Sequence, residues 1–422
     1  MANSYTRLKA ACYTTNISMS VVTNLSPLLF IILRNLYGFS YSLLGLLVLI
    51  NFCTQLLIDL AFSFFSHKFN ISLSVKLTPV LTVIGLLIYA VMPFFEPKLT
   101  YLWIVIGTVI FSASGGLAEV LISPVIAAIP AKDPDREMSK LHSIYAWGVV
   151  GVVIFGTLFL YLCGEQSWQY LALIFAIIPL LSSILFCLTE VPKVSTPKKT
   201  TSALKMFKEK GVWLCVLAIF FGGASECTMG QWCSGYLEQS FNIPKMLGDV
   251  CGVTLFAASL GLGRTLYSKI GKNLGGVLLY GAIGAAVCYV VSALVPVAVV
   301  GLIACALCGF CVAMLWPGTL VYATDKYKNG GVFMFAIMAA GGDFGASVGP
   351  QLVGVISDGV IASAWANNFT TTLGITIEQL AMKCAMLSSA IFPIIAIILF
   401  AIIYKDIKKR KQSLISIEKQ PN

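Results

Sequence analysis

Long apolar runs alternate with short polar breaks along the whole chain, and the pattern repeats twelve times. A bilayer core of ~30 Å takes about 20 apolar residues per helix. With that ruler the runs fall at 10–33, 42–65, 74–95, 100–129, 139–163, 168–189, 212–237, 247–268, 275–296, 299–323, 332–357 and 379–404. The pattern therefore predicts an all-α membrane protein of twelve transmembrane helices. The runs at 100–129 and 332–357 are longer than a span needs, so tilt or loop-like ends are expected there. Met1 to Lys9 is short and polar, and the run after it lacks a small-x-small cleavage site. It reads as a retained first span and not as a signal peptide.

One polar break is longer than the others. Glu190 to Lys210 is rich in Lys, Thr, Ser and Pro and separates six runs from six. The expected organisation is a six-helix bundle at 1–190, a cytoplasmic linker at 191–210, a second bundle at 211–404 and a tail at 405–422. Ser66-His67-Lys68-Phe69-Asn70 follows the second run and Ser268-Lys269-Ile270-Gly271-Lys272 the eighth, at corresponding positions of the two halves. Two six-helix pseudo-repeats related by an axis along the membrane normal make the major facilitator architecture.

Composition agrees: 58% of residues are hydrophobic and 11% charged, against about 25% charged in soluble domains. The net charge of +10 does not indicate nucleic acid, because the basic residues lie in the breaks and not along one helix face. With the N-terminus in the cytoplasm, 23 of the 28 Lys and Arg fall inside, and only Arg34, Lys98, Lys245 and Lys383 fall outside. Arg264 stays within a run. This bias places both termini in the cytoplasm of a multi-pass protein of the inner or plasma membrane. The 13 cysteines lie mostly within apolar runs. Cys305, Cys308 and Cys311 repeat every third residue but have no His or carboxylate beside them, so buried thiols are expected and no metal site.

An ionisable side chain in lipid costs at least ~2.5–3.5 kcal/mol at mid-helix, so those that persist mark interior passages. Glu119 follows Ser114-Gly115-Gly116 and precedes Ser123-Pro124. The glycines allow close helix approach and the proline breaks the backbone ladder. A carboxyl placed there can bind and release a proton, which makes Glu119 the first proton-coupling candidate. Glu226 lies in Gly222-Gly223-Ala224-Ser225-Glu226, ahead of Gln231 and Trp232, and is a candidate for coupling or substrate contact. Gln231 offers donors and acceptors and Trp232 a flat apolar face, a mixture that suits a hydroxylated ring. Asp343, within Gly341-Gly342-Asp343-Phe344-Gly345, is a candidate for a solute or cation contact. Asn24, Asn51 and Trp316 complete the expected cavity lining. Asp59, Arg264, His142 and Tyr145 read as gating or structural groups, His142 sitting at the start of the fifth run.

No phosphate loop, His-Glu-x-x-His or nucleophile elbow occurs, so no enzyme and no bound cofactor is expected. Three blocks resemble the fucose permease-type branch of the major facilitator superfamily. They are Gly116 to Pro124 with Leu141 to Gly148; Gly223 to Glu226 through Gln231-Trp232; and Leu315-Trp316-Pro317-Gly318-Thr319-Leu320 with Gly341-Gly342 and Gly349-Pro350 through Ser357-Asp358. The resemblance implies proton-driven uptake of a monosaccharide by a monomer, with Glu119 at the position of the branch's fourth-helix carboxylate. Two departures stand out. Asn24 or its neighbours occupy the place of a first-helix acid, and the loop after the second run lacks an Asp-Arg signature. Proton, sodium and uncoupled transport therefore all stay open. The rival readings are a proton-coupled exporter of drugs or metabolites and a transport-inactive receptor.

Overall fold

The structure, a computed structural model, describes residues 2–65, 68–130, 134–192, 208–270, 273–327 and 331–418. Most of the expected linker (193–207), and Ser66, His67, Gly271 and Lys272 of the two matching loops, lie outside them. The described residues are helical almost throughout. Eleven helices among them are long and apolar enough to cross a membrane, and Trp147–Cys163 adds a shorter apolar stretch.

By contact the chain divides into two compact units, Met1–Thr200 with Pro244–Val250, and Thr201–Ile243 with Cys251–Asn422. The first holds α1 (Ala2–Tyr37), α2 (Tyr41–Phe65), α3 (Ile71–Phe95), α4 (Thr100–Ala128), α5 (Pro134–Cys163) and α6 (Trp168–Cys187). The second holds α7 (Lys210–Phe241), α8 (Leu255–Ile270), α9 (Leu274–Leu294), α10 (Ala298–Val312), α11 (Leu315–Lys326), α12 (Gly331–Ile361), α13 (Ala364–Leu373), α14 (Ile377–Ser389) and α15 (Ile391–Glu418). A π-helical stretch, Gly248–Thr254, leads into α8.

Helix starts follow local chemistry. The Asn70 side chain accepts from Leu73 N at the start of α3, and Thr376 and Gln379 form a reciprocal capping box at the start of α14. Gly38, Gly164 and Gly374 turn the chain at positive φ where α1, α5 and α13 end.

Some sequence-based expectations need refining. The tenth run forms one apolar helical stretch long enough to cross, Ala298–Lys326, with a local interruption at Ala313 and Met314. Pro317 has no N–H and its ring crowds the carbonyl of Ala313, so the helix is interrupted there between α10 and α11. Pro393 does the same to Ser389, splitting the twelfth run into α14 and α15. Pro124, by contrast, stays inside α4, and the two long runs are helical to their ends as α4 and α12. Within a bundle, neighbouring groups can satisfy a carbonyl that proline frees. The stretch between the last two runs contains α13, which carries Trp365, Phe369 and Leu373 at i, i+4 and i+8, all exposed. Such a short helix with one apolar stripe suits the membrane–water boundary.

Candidate functional site

In the first unit the polar groups gather where α2 meets α4. A Cβ on Gly116 would lie 2.8 Å from Gln55 O and 2.9 Å from Asp59 Oδ1, so only glycine lets the helices approach this closely. Asn51, Gln55 and Asp59 recur every four residues and form one buried polar stripe down α2. Asn51 Nδ2 donates to Val22 O of α1 at 3.2 Å. Its Oδ1 accepts from Gln55 Nε2 at 2.8 Å and from Ser112 Oγ of α4 at 2.6 Å. The Asn51 amide is thus occupied in joining three helices. The sequence-based expectation of a cavity-lining Asn51 gives way to a structural one. Asn24 is half-buried and donates to Ser20 O of its own helix.

One turn deeper along the stripe, the chemistry changes. Asp59 is buried, its Oδ1 has no hydrogen-bond partner, and carboxylate oxygens of Asp59 and Glu119 lie within 4.8 Å of each other. Glu119 is exposed although Leu117, Ala118, Leu121 and Ile122 around it are buried. Among the described residues no basic side chain pairs with either acid. An uncovered carboxylate in a spanning helix is tolerated where water reaches it, not against lipid. The pair therefore combines one sheltered and one water-accessible acid.

The second unit treats its acid differently. Arg264 Nη2 of α8 donates to both oxygens of Glu226 on α7, at 3.0 and 3.2 Å, while Arg264 Nε donates to Ala313 O at 3.0 Å. One guanidinium nitrogen is thus shared by both carboxylate oxygens in a charge-assisted contact, and Nε is engaged with the Ala313 carbonyl at the end of α10. Cys227 lies within the electrostatic reach of Glu226, Arg264 and Asp343, so these three charged groups share one neighbourhood. Asp343 is buried on α12. Beside it, a Cβ on Gly342 would run into the Trp316 ring at 2.5 Å, and one on Gly223 would meet Gly342 O at 2.8 Å. Trp316 is half-buried and wedges between α7 and α12.

The two residues expected to hold a ring-shaped solute stand in different surroundings. Trp232 is wholly buried and its Nε1 donates to Pro350 O at 2.8 Å, so its ring packs α7 on α12 and presents no face to a solute. Gln231 is half-buried, and its Oε1 has no hydrogen-bond partner. Tyr145 lends its carbonyl to Ser20 Oγ at 2.9 Å, a structural contact between α5 and α1. The His142 side chain lies outside the described residues.

Two groups escaped the sequence reading. Gln55 was detectable, being the middle of the i, i+4, i+8 stripe. Asp249, only 1% exposed, accepts from Thr157 Oγ1 at 2.7 Å and pairs with Lys245 at 3.1 Å within the first unit. Only its i, i+4 spacing from Lys245 offered a signal.

The sequence profile of the Major Facilitator Superfamily matches residues 11–350. No curated protein is similar enough in sequence to match. Among solved structures, the chain is similar to the nucleoside transporter NupG, with a TM-score of 0.70 at 13% identity over 96% of this chain and 99% of that one. It is similar to a D-xylose-proton symporter to the same degree, with a TM-score of 0.70 at 15% identity over 92% and 97%. The E. coli fucose:proton symporter aligns with a TM-score of 0.58 at 16% identity over 95% and 99%. At these identities the likeness is one of fold, and it does not single out the fucose-type branch.

Proposed function

Because the chain belongs to the major facilitator superfamily, it is a secondary transporter working by alternating access and not an enzyme, and we propose that it takes up a hydroxylated small solute, a monosaccharide first, together with protons. The observation that carries the coupling is the Asp59–Glu119 pair. Two carboxylates within 4.8 Å repel each other when both are ionised, so they hold a proton between them or admit a cation. Asp59 is sheltered by the α2–α4 contact, and Glu119 is open to water. A proton taken up at Glu119 and shared with Asp59 changes the charge that the first unit carries through the cycle.

The solute class rests on Gln231. A buried carbonyl oxygen without a donor costs roughly 1–3 kcal/mol, and a solute hydroxyl would remove that cost. Trp316, half-buried in α11 against Gly223 and Gly342, is the aromatic candidate now that Trp232 is committed to packing. The resemblance in sequence blocks to the fucose permease-type branch and the shared fold with two sugar:proton symporters favour a monosaccharide. A nucleoside, equally hydroxylated, is the second reading, given the equal fold similarity to NupG. The positive-inside pattern favours cytoplasmic termini in the cell membrane, and no residue described here calls for a partner chain.

The test is uptake by the purified protein in proteoliposomes under an imposed proton gradient. Labelled hexoses, pentoses and nucleosides are offered in turn. Accumulation of a sugar that collapses with a protonophore is the expected result. Accumulation that persists with the protonophore and follows sodium would replace the proton. Transport of apolar drugs only would replace the solute.

A further inference from the structure

The first unit carries an apolar groove of about 630 Å³ between α1, α5 and α6, lined by Ile17, Ile144, Trp147, Gly151, Phe155 and Ile178 among others. Its walls are almost wholly hydrocarbon, so it is not a place for a hydroxylated solute. Three observations define what would fit. The first is length. Ile144 to Phe155 is twelve residues of α5, separated along the axis by about 16 Å at 1.5 Å rise per residue, or roughly one leaflet of a ~30 Å hydrocarbon core.

The second is room. Gly151 stands mid-helix and exposed on this wall, and a Cβ there would meet no atom within 4 Å. The other α5 glycines on this side are filled from behind, since Gly148 faces Ser20 and Gly156 faces Leu28. Glycine costs a helix about 1 kcal/mol relative to alanine, and at Gly151 no protein contact requires it. What the glycine provides is open depth in the groove.

The third is charge at one end. Lys140 lies one helical turn before Ile144 on the same stripe of α5, and Tyr13 one turn before Ile17 on α1. The Lys140 ammonium is exposed and stands 5.2 Å from the centre of the Tyr13 ring. Lys9 follows one turn further along the α1 stripe. The basic end therefore continues the apolar groove at the face where the Lys/Arg pattern puts the cytoplasm.

We propose that this groove is a binding site for an anionic phospholipid of that leaflet, one acyl chain lying along Gly151 and the phosphate meeting Lys140. The bilayer itself is apolar, so transfer of the chain into the groove adds little affinity. Preference comes from the headgroup charge, at about 1 kcal/mol per lysine near the surface, or about fivefold. Position comes from the groove.

Native mass spectrometry of the full-length protein in detergent tests this with phosphatidylglycerol and phosphatidylcholine of identical acyl chains. The wild type should retain phosphatidylglycerol about fivefold better. Lys140→Gln should bring the two lipids level. Gly151→Phe should fill the groove and remove the tightest bound lipid of either kind, while Ile184→Phe, at an exposed site on α6 outside the groove, should leave it in place. Gly151→Phe adds a side chain into empty space and removes a helix-weakening glycine, so an unchanged elution profile and thermal midpoint are expected alongside. Equal retention of the two lipids by the wild type, or unaltered binding in Gly151→Phe, would overturn the proposal.

Discussion

The two units each bring an acid into the apolar part of the molecule, and they treat it in opposite ways. In the second, Glu226 is met by Arg264 Nη2 at 3.0 and 3.2 Å, and the arginine is further fixed on Ala313 O. In the first, Glu119 meets another carboxylate instead, with a buried Asp59 oxygen left unpartnered. A compensated acid has little reason to exchange protons. An acid beside an acid is arranged to do so. Sequence context alone made Glu119 and Glu226 look alike, each behind a glycine pair, but their partners differ, and on that difference rests the proposal that Glu119 couples while Glu226 braces.

Neutralising one acid in each unit gives the largest contrast. Glu119→Gln should abolish gradient-driven accumulation while leaving solute exchange intact. One charge moving through 100 mV is worth about 2.3 kcal/mol, so about 50-fold accumulation is at stake at that potential. Accumulation and counterflow in the same proteoliposomes measure both. A Glu119→Gln protein that still accumulates solute would break the contrast.

Asn51 sharpens it from the structural side. Three hydrogen bonds to α1, α2 and α4 meet on this amide. Interhelical bonds in membrane proteins average about 0.6 kcal/mol each, so Asn51→Leu should lower stability by roughly 1–2 kcal/mol. Thermal unfolding in detergent would register this, and proton coupling should survive in the folded fraction.

Glu226→Gln leaves the Arg264 charge without its partner. The Arg264 side chain is 44% exposed, so water compensates much of the loss and about 1 kcal/mol is expected. The double change Glu226→Gln with Arg264→Gln should recover most of it, a coupling that a double-mutant cycle reads directly. If the double variant were as unstable as the two singles combined, the ion pair would not be the bracing element. The smallest effect is Trp232→Phe. It loses one bond to Pro350 O, about 0.6 kcal/mol, and should leave KM for the solute unchanged.

How far each feature was legible follows from the range of its cause. Spanning helices were visible because lipid imposes a length and a polarity on about twenty consecutive residues. The helix breaks at Pro317 and Pro393 were carried by single residues, yet the same residue type at Pro124 broke nothing, because packing decides whether a freed carbonyl is tolerated. The α13 helix was hidden because ten residues give too short an apolar stripe to stand out. The Asn51–Gln55–Asp59 stripe was present in the spacing, but Asn51 and Asp59 were read apart and Gln55, which joins them, was passed over. Glu226 and Arg264 are 38 positions apart on different helices, and no periodicity joins them. Trp232 was chosen for its chemistry, and only burial revealed that its indole was already engaged.

Solute-driven proton movement across proteoliposome membranes, followed with an interior pH dye, addresses the central claim without relying on accumulation. Adding solute outside should acidify the interior of liposomes carrying the wild type and of those carrying Glu226→Gln with Arg264→Gln. It should leave the pH unmoved with Glu119→Gln and with Asp59→Asn, although solute still exchanges. Proton movement that persists in both first-unit variants and vanishes in the second-unit double variant would contradict the account.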